Sequence, residues 1–142
     1  MQWDASVNAG FSAPDTKELW LPLASNYKEV NVASELNDPR SFLNYYRKLL
    51  ALRKESPALK WGSYRSFGAG SGESDADCFV YERQADGQRL VVALNFSDQE
   101  RKISLTEAGS GKVILSTLMD REEEVDLTSF NLRANEGCII TL

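Results

Sequence analysis

Histidine is missing from all 142 residues. That removes the commonest general base, the commonest transition-metal ligand and every Ser-His-Asp or Cys-His nucleophile arrangement. Cysteine is nearly missing: Cys78 and Cys138 stand far apart. The expectation is two half-buried small residues in a reducing compartment, which points to the cytoplasm, and nothing supports a disulfide between them. No apolar run reaches the length of a membrane span. The opening Met1-Gln2-Trp3-Asp4 has neither a basic segment nor an apolar signal core. Positive charge is in the minority, with 16 Lys and Arg against 21 Asp and Glu and a net charge of −5. The basic residues are scattered, and the densest group (Arg47, Lys48, Arg53, Lys54) belongs to one expected helix. Neither a nucleic acid nor a membrane is expected as a partner, because counterion release needs clustered Lys and Arg.

What is present suits an ordinary folded domain: 42% hydrophobic and 26% charged residues. The length allows one domain, or one domain with an appendage. It is too short for a complete eight-stranded α/β barrel, which needs about 250 residues. Residues 1–37 carry breaker signals at Asn8-Ala9-Gly10, Ala13-Pro14-Asp15, Leu21-Pro22-Leu23 and Ser25-Asn26. They also carry large apolar groups, among them Trp3, Phe11, Trp20 and Tyr27, and disordered tails are not built this way. The segment reads as a long irregular loop meant to lie against something larger.

Residues 38–56 read as a helix, with Asp38 as N-cap, Pro39 at the first helical position and Pro57 as the stop. Phe42, Leu43, Tyr45, Tyr46, Leu49, Leu50 and Leu52 spread over about half its circumference. A stripe that wide suggests a helix wedged between two apolar surfaces. Residues 60–142 read as all-β. Strands are expected at 63–67, 78–84, 89–96, 101–105, 113–117 and 137–142, and a short one near 124–127. Val, Ile, Phe, Tyr and Thr are enriched in them. Asp86-Gly87 is a hairpin signal. Leu90, Val92, Leu94 and Phe96 alternate with Val91, Ala93 and Asn95. Short strands with no helix between them point to an antiparallel sandwich.

The first half carries a run of segments in order: Met1-Gln2-Trp3-Asp4, Asn8-Ala9-Gly10-Phe11-Ser12, Trp20-Leu21-Pro22, Asn26-Tyr27-Lys28-Glu29-Val30-Asn31-Val32, Asp38-Pro39-Arg40-Ser41, then Tyr45-Tyr46-Arg47-Lys48-Leu49-Leu50-Ala51-Leu52-Arg53-Lys54. Together they resemble oligo-1,6-glucosidases and related α-glucosidases, of the α-amylase type, glycoside hydrolase family 13. The resemblance covers residues 1 to about 64 well and the β region by position and pattern. It implies a mainly β fold: an antiparallel β-sandwich at 60–142, preceded by one long α-helix and an irregular loop. Residues 1–59 would be the end of a (β/α)8 barrel, with the loop at 1–37 and the last barrel helix at 38–56.

Glycoside hydrolysis uses two carboxylates across the scissile bond. The resemblance implies that the family's nucleophile Asp, acid Glu and stabilising Asp lie upstream, and none maps onto a residue here. The family's Arg-Thr-Pro also precedes the point where this chain begins. The residues left to touch sugar are Gln2 and Trp3, since the family's loop borders the place of the second sugar unit. Trp offers a flat apolar face and Gln paired donors and acceptors. The alternative is that Trp3 only packs the loop onto the barrel.

Other constellations have plainer readings. Glu122-Glu123-Glu124 with Asp120 and Asp126 reads as a solvated acidic turn without calcium-loop spacing. Gly68-Ala69-Gly70-Ser71-Gly72 reads as a turn, not a phosphate cradle, because no helix follows. Trp61, Tyr64 and Phe67 resemble a sugar platform in composition, but Trp61 and Tyr64 read as core or helix-packing residues.

The reading is therefore the C-terminal part of an α-glucosidase for α-linked glucose oligosaccharides, structural in role and inert alone. It needs no cofactor and no metal. In isolation it is expected to form a homodimer through helix 38–56 and the N-terminal loop. The alternative is a stand-alone β-sandwich module that binds carbohydrate or a protein.

Overall fold

The computed structural model describes residues 2–67 and 77–142. Eight strands are found among them: β1 (Ser63–Phe67), β2 (Cys78–Ala85), β3 (Gln88–Asn95), β4 (Arg101–Ile103), β5 (Ser110–Ser116), β6 (Glu124–Asp126), β7 (Phe130–Leu132) and β8 (Gly137–Thr141). Asp86 and Gly87 both take left-handed backbone, φ 51° and 77°, which makes the tight turn that joins an antiparallel pair. The register runs from Ala85 opposite Gln88 to Cys78 opposite Asn95. Six strands form one sheet in the order β1-β2-β3-β8-β5-β6, and β4 pairs with β7 in a second. The expected Gly68–Gly72 turn lies outside the described residues.

Alternation decides the faces. Val80, Val91, Ala93, Val113, Cys138 and Ile140 join Ile103, Leu105, Leu127, Phe130 and Leu132 in one core between the two sheets. The sandwich expected from the sequence is thus present, with β7 added. Its three residues were too few to show a period. Cys78 and Cys138 are both buried in this core, not half-buried. Burial pushes the Cys138 thiol up to about 12, and the nearby Glu136 charge adds to it. At the mouth of the core, buried Asn95 donates to the carbonyls of Gln99 (2.7 Å) and Arg133 (2.8 Å), which closes the turn after β3.

Three helices precede the sheet: α1 (Val32–Asn37), α2 (Phe42–Glu55) and α3 (Pro57–Trp61). The first corrects the reading of residues 1–37 as wholly irregular. Asn31 caps it by accepting from Ser34 N–H at 2.9 Å, and Ser34 answers with its hydroxyl. The second starts later than expected. Asp38 accepts from Arg40 N–H, so it shapes a turn around Pro39, and Ser41 does the capping instead. No residue of α2 is buried, against the expectation of a helix wedged between two surfaces. Pro57 ends α2 and also opens α3, where Ser56 caps Leu59 N–H at 3.1 Å.

The chain divides into two compact units, Met1–Lys48 and Leu49–Leu142. They differ in kind. The second holds the whole core. In the first, the buried residues among those described are Ala9, Asn31 and Ser41. Hydrogen bonds hold it together, not apolar burial.

Candidate functional site

The expected site residues lie on a loop whose backbone is tied at both ends. Gln2 and Trp3 present their carbonyls to the N-terminus of α1, accepting from Val32 N–H (2.9 Å) and Ala33 N–H (3.0 Å). These are donors that a helix start leaves without intrahelical partners. The Trp3 amide donates to the Ala9 carbonyl at 3.0 Å. To make that return, the chain turns through three consecutive left-handed residues, Asn8, Ala9 and Gly10, at φ 63°, 51° and 73°. Ala9 is fully buried at the turn. A Cβ on Gly10 would stand 2.9 Å from the Trp3 Cβ. Glycine there leaves room for the tryptophan.

Asp4 completes the turn. It accepts from the Ser6 amide (2.9 Å) and from the Ser6 hydroxyl, and these bonds hold its carboxyl below the usual carboxylate range. The sequence reading quoted Asp4 within a motif but assigned it no part. The missed signal was the Asp-x-Ser spacing, an ordinary local turn pattern. With the backbone so fixed, the Gln2 side chain is half-buried and Trp3 is exposed. Beyond them, Phe11, Leu19, Trp20, Leu21 and Leu23 line a mainly apolar hollow of about 470 Å³. The Ser12 hydroxyl in its wall is buried without a hydrogen-bond partner. An exposed indole beside an amide can hold a sugar ring by its flat face and its hydroxyls.

The other constellations are settled by exposure. Glu122, Glu123 and Glu124 are exposed, and Glu123 accepts from Arg121 at 2.7 Å. Phe67 is a core residue. Trp61 and Tyr64 are not. They are 62% and 54% exposed, so neither belongs to the core, although the Tyr64 ring lies 5.4 Å from that of Tyr81.

Residues 1–62 match the model of the α-amylase catalytic domain, and residues 65–135 match a domain described only as of unknown function. The chain is thus similar to the α-amylase-type glycoside hydrolases, family 13, over most of its length. It is 36% identical over 139 residues to the oligo-1,6-glucosidase of Parageobacillus thermoglucosidasius, covering 96% of this chain and 24% of that protein. It is 36% identical over 139 residues to the trehalose-6-phosphate hydrolase of Escherichia coli, covering 96% and 23%. The trehalulose synthase of Pseudomonas mesoacidophila superposes with a TM-score of 0.82 at 33% identity, over 99% of this chain and 24% of the synthase. The chain thus spans about a quarter of the length of these family 13 relatives.

Proposed function

We propose that this chain serves as the C-terminal part of an α-glucosidase acting on α-linked glucose oligosaccharides. Its role there is to brace the end of the catalytic barrel, and alone it hydrolyses nothing. The carrying observation is the contrast between the two units. Residues 49–142 own a closed core, whereas the family 13 catalytic-domain match includes a unit with almost no buried apolar side chain. A segment rich in Trp, Phe and Leu but without a core suits a surface that other polypeptide covers. Gln2 and Trp3, held by the tied loop, would border the sugar. The catalytic carboxylates would come from the rest of the enzyme.

The test is a chimera. The chain replaces the matching quarter of an oligo-1,6-glucosidase, and hydrolysis of isomaltose and a nitrophenyl α-glucoside is measured for the chimera and for the chain alone. An active chimera with an inert chain is expected. Turnover by the highly purified chain, or a folded chimera without activity, overturns the proposal.

For the chain by itself we further propose pairing with a second copy through α2 and the N-terminal loop. Phe42, Tyr46 and Leu50 form an uncovered stripe at every fourth position, 77%, 58% and 60% exposed, and Trp20 on the loop is 95% exposed.

A further inference from the structure

The seam between the two matched regions, at residues 62–65, lies inside one compact unit. The catalytic-domain match runs to residue 62, yet the second unit already begins at Leu49. Within that unit, α3 on one side of the seam meets the β2–β3 hairpin on the other. α3 has five residues, and a helix so short does not hold in water by itself. Its stability has to come from the strands it packs on.

The hairpin supplies partners for both ends of α3. Pro57 brings no N–H to the first helical position. The next donor, Ala58 N–H, has no acceptor within the helix, and Gln88 Oε1 accepts from it at 3.3 Å. The same oxygen accepts from the Ser56 hydroxyl at 2.5 Å. Ser56 Oγ in turn accepts from Leu59 N–H at 3.1 Å. One amide oxygen on the hairpin thus orients the cap and satisfies the donor that the cap leaves over. At the other end, the Ala58 carbonyl accepts from Gly62 N–H at 3.1 Å and from Arg83 Nε at 3.2 Å. Gly62 makes this approach possible. A Cβ there would stand 2.4 Å from the Ala58 carbonyl oxygen and 2.9 Å from that of Gln84. Ser56 and Ala58 are buried, so water does not replace a lost acceptor.

We infer that Gln88 is a latch that makes residues 56–62 part of the sandwich's cooperative unit, so that the seam is a rigid joint and not a hinge. Gln88 opens β3 opposite Ala85, directly after the Asp86-Gly87 turn. The turn therefore sets where the amide oxygen falls. The inference does not depend on the α-glucosidase reading.

Native-state hydrogen exchange of the full chain, followed by NMR at rising sub-denaturing urea, tests it. The Ala58, Leu59, Lys60 and Gly62 amides should open only together with β3 and β8, with the same urea dependence. Fast exchange of these amides that ignores urea overturns the inference, and this measurement needs no variant. Gln88→Met keeps the bulk and removes the acceptor, leaving the Ser56 hydroxyl and Ala58 N–H unpaired. It should speed exchange in α3 about tenfold or more and leave β3 and β8 unchanged. Gln88→Glu keeps an acceptor oxygen in place and should restore slow exchange. Three results with the variants count against the latch: slow exchange of α3 in Gln88→Met, equal acceleration throughout the sandwich, or no rescue by Gln88→Glu. The last would show that the side chain acts by packing and not as an acceptor.

Discussion

Arg121 reaches the fully buried carboxylate of Glu136 at 3.0 Å and lays its guanidinium over the Phe130 ring, 4.8 Å from the centroid. Glu136 also accepts from the Arg133 amide (2.8 Å) and from its guanidinium (2.5 Å). Arg133 in turn holds Asp120 with two bonds of 2.7 Å. The segment between β5 and β6 is thereby clamped to the turn between β7 and β8.

Breaking this clamp should destabilise the sandwich. Arg121→Ala leaves Glu136 buried with only part of its compensation, and losing one partner of a buried pair costs about 3 kcal/mol. Glu136→Gln should cost less, because a neutral amide can stay hydrogen-bonded. Urea unfolding followed by far-UV circular dichroism measures both. A shift under half a kcal/mol for Arg121→Ala would show that the pair is merely tolerated.

The same group sets the acid limit. Arg133 holds Asp120 down to about 2, and Arg121 lowers Glu123. For Glu136, burial works against ionisation, but the Arg133 and Arg121 contacts win and its carboxyl is also lowered. Depressed carboxylates contribute stability above their unfolded range, near ~4, and lose it as pH falls through the folded values. The thermal midpoint should therefore hold between neutral pH and mild acid, then drop as pH falls below the ordinary carboxylate range towards 2. Asp120→Asn should make the acid limb shallower. A midpoint that already declines between pH 7 and 5 would contradict this assignment.

The strained turn predicts a local effect. Gly10→Ala places a side chain at φ 73° and 2.9 Å from the Trp3 Cβ. A left-handed non-glycine residue costs about 1 kcal/mol, close to a fivefold change in an opening equilibrium. Hydrogen exchange should quicken by at least that factor at Trp3, Val32 and Ala33 and stay unchanged in β3 and β8. In the native chain, amides before Asp38 should already exchange faster than those of β3 and β8. Uniform protection from the N-terminus onward is the opposing result.

Self-association follows from the bare α2 stripe. Burying ~600 Å² of apolar surface at ~25 cal/mol per Å² yields ~15 kcal/mol gross, against an association cost of ~4–15 kcal/mol. A weak to moderate dimer should appear in light scattering across a concentration series. Tyr46→Glu or Leu50→Lys should return it to monomer with the β signal intact. A monomeric mass at high micromolar concentration would remove the proposal.

Local chemistry was legible where a residue acts on its immediate neighbours. Asp86-Gly87 specified its hairpin because two left-handed residues there admit little else, and the alternation along Leu90–Phe96 sorted the two faces correctly. The family was legible through ordered short segments, and the comparisons bear that out. Other features depended on contacts distant in sequence. Asp38 looked like a cap, but Glu35 accepts from Leu43 N–H at 2.9 Å and Ser41 donates to the Glu35 carbonyl, so the helix starts at Phe42. Trp61 and Tyr64 are apolar enough for a core, and only the placement of α3 and the register of β1 leave them exposed. Glu136 drew no reading from the sequence at all, because its partner Arg121 comes from another strand connection. The backbone's local preferences belong to the sequence. Which surfaces are covered belongs to the tertiary structure, because coverage is a property of neighbours that the chain meets only after folding.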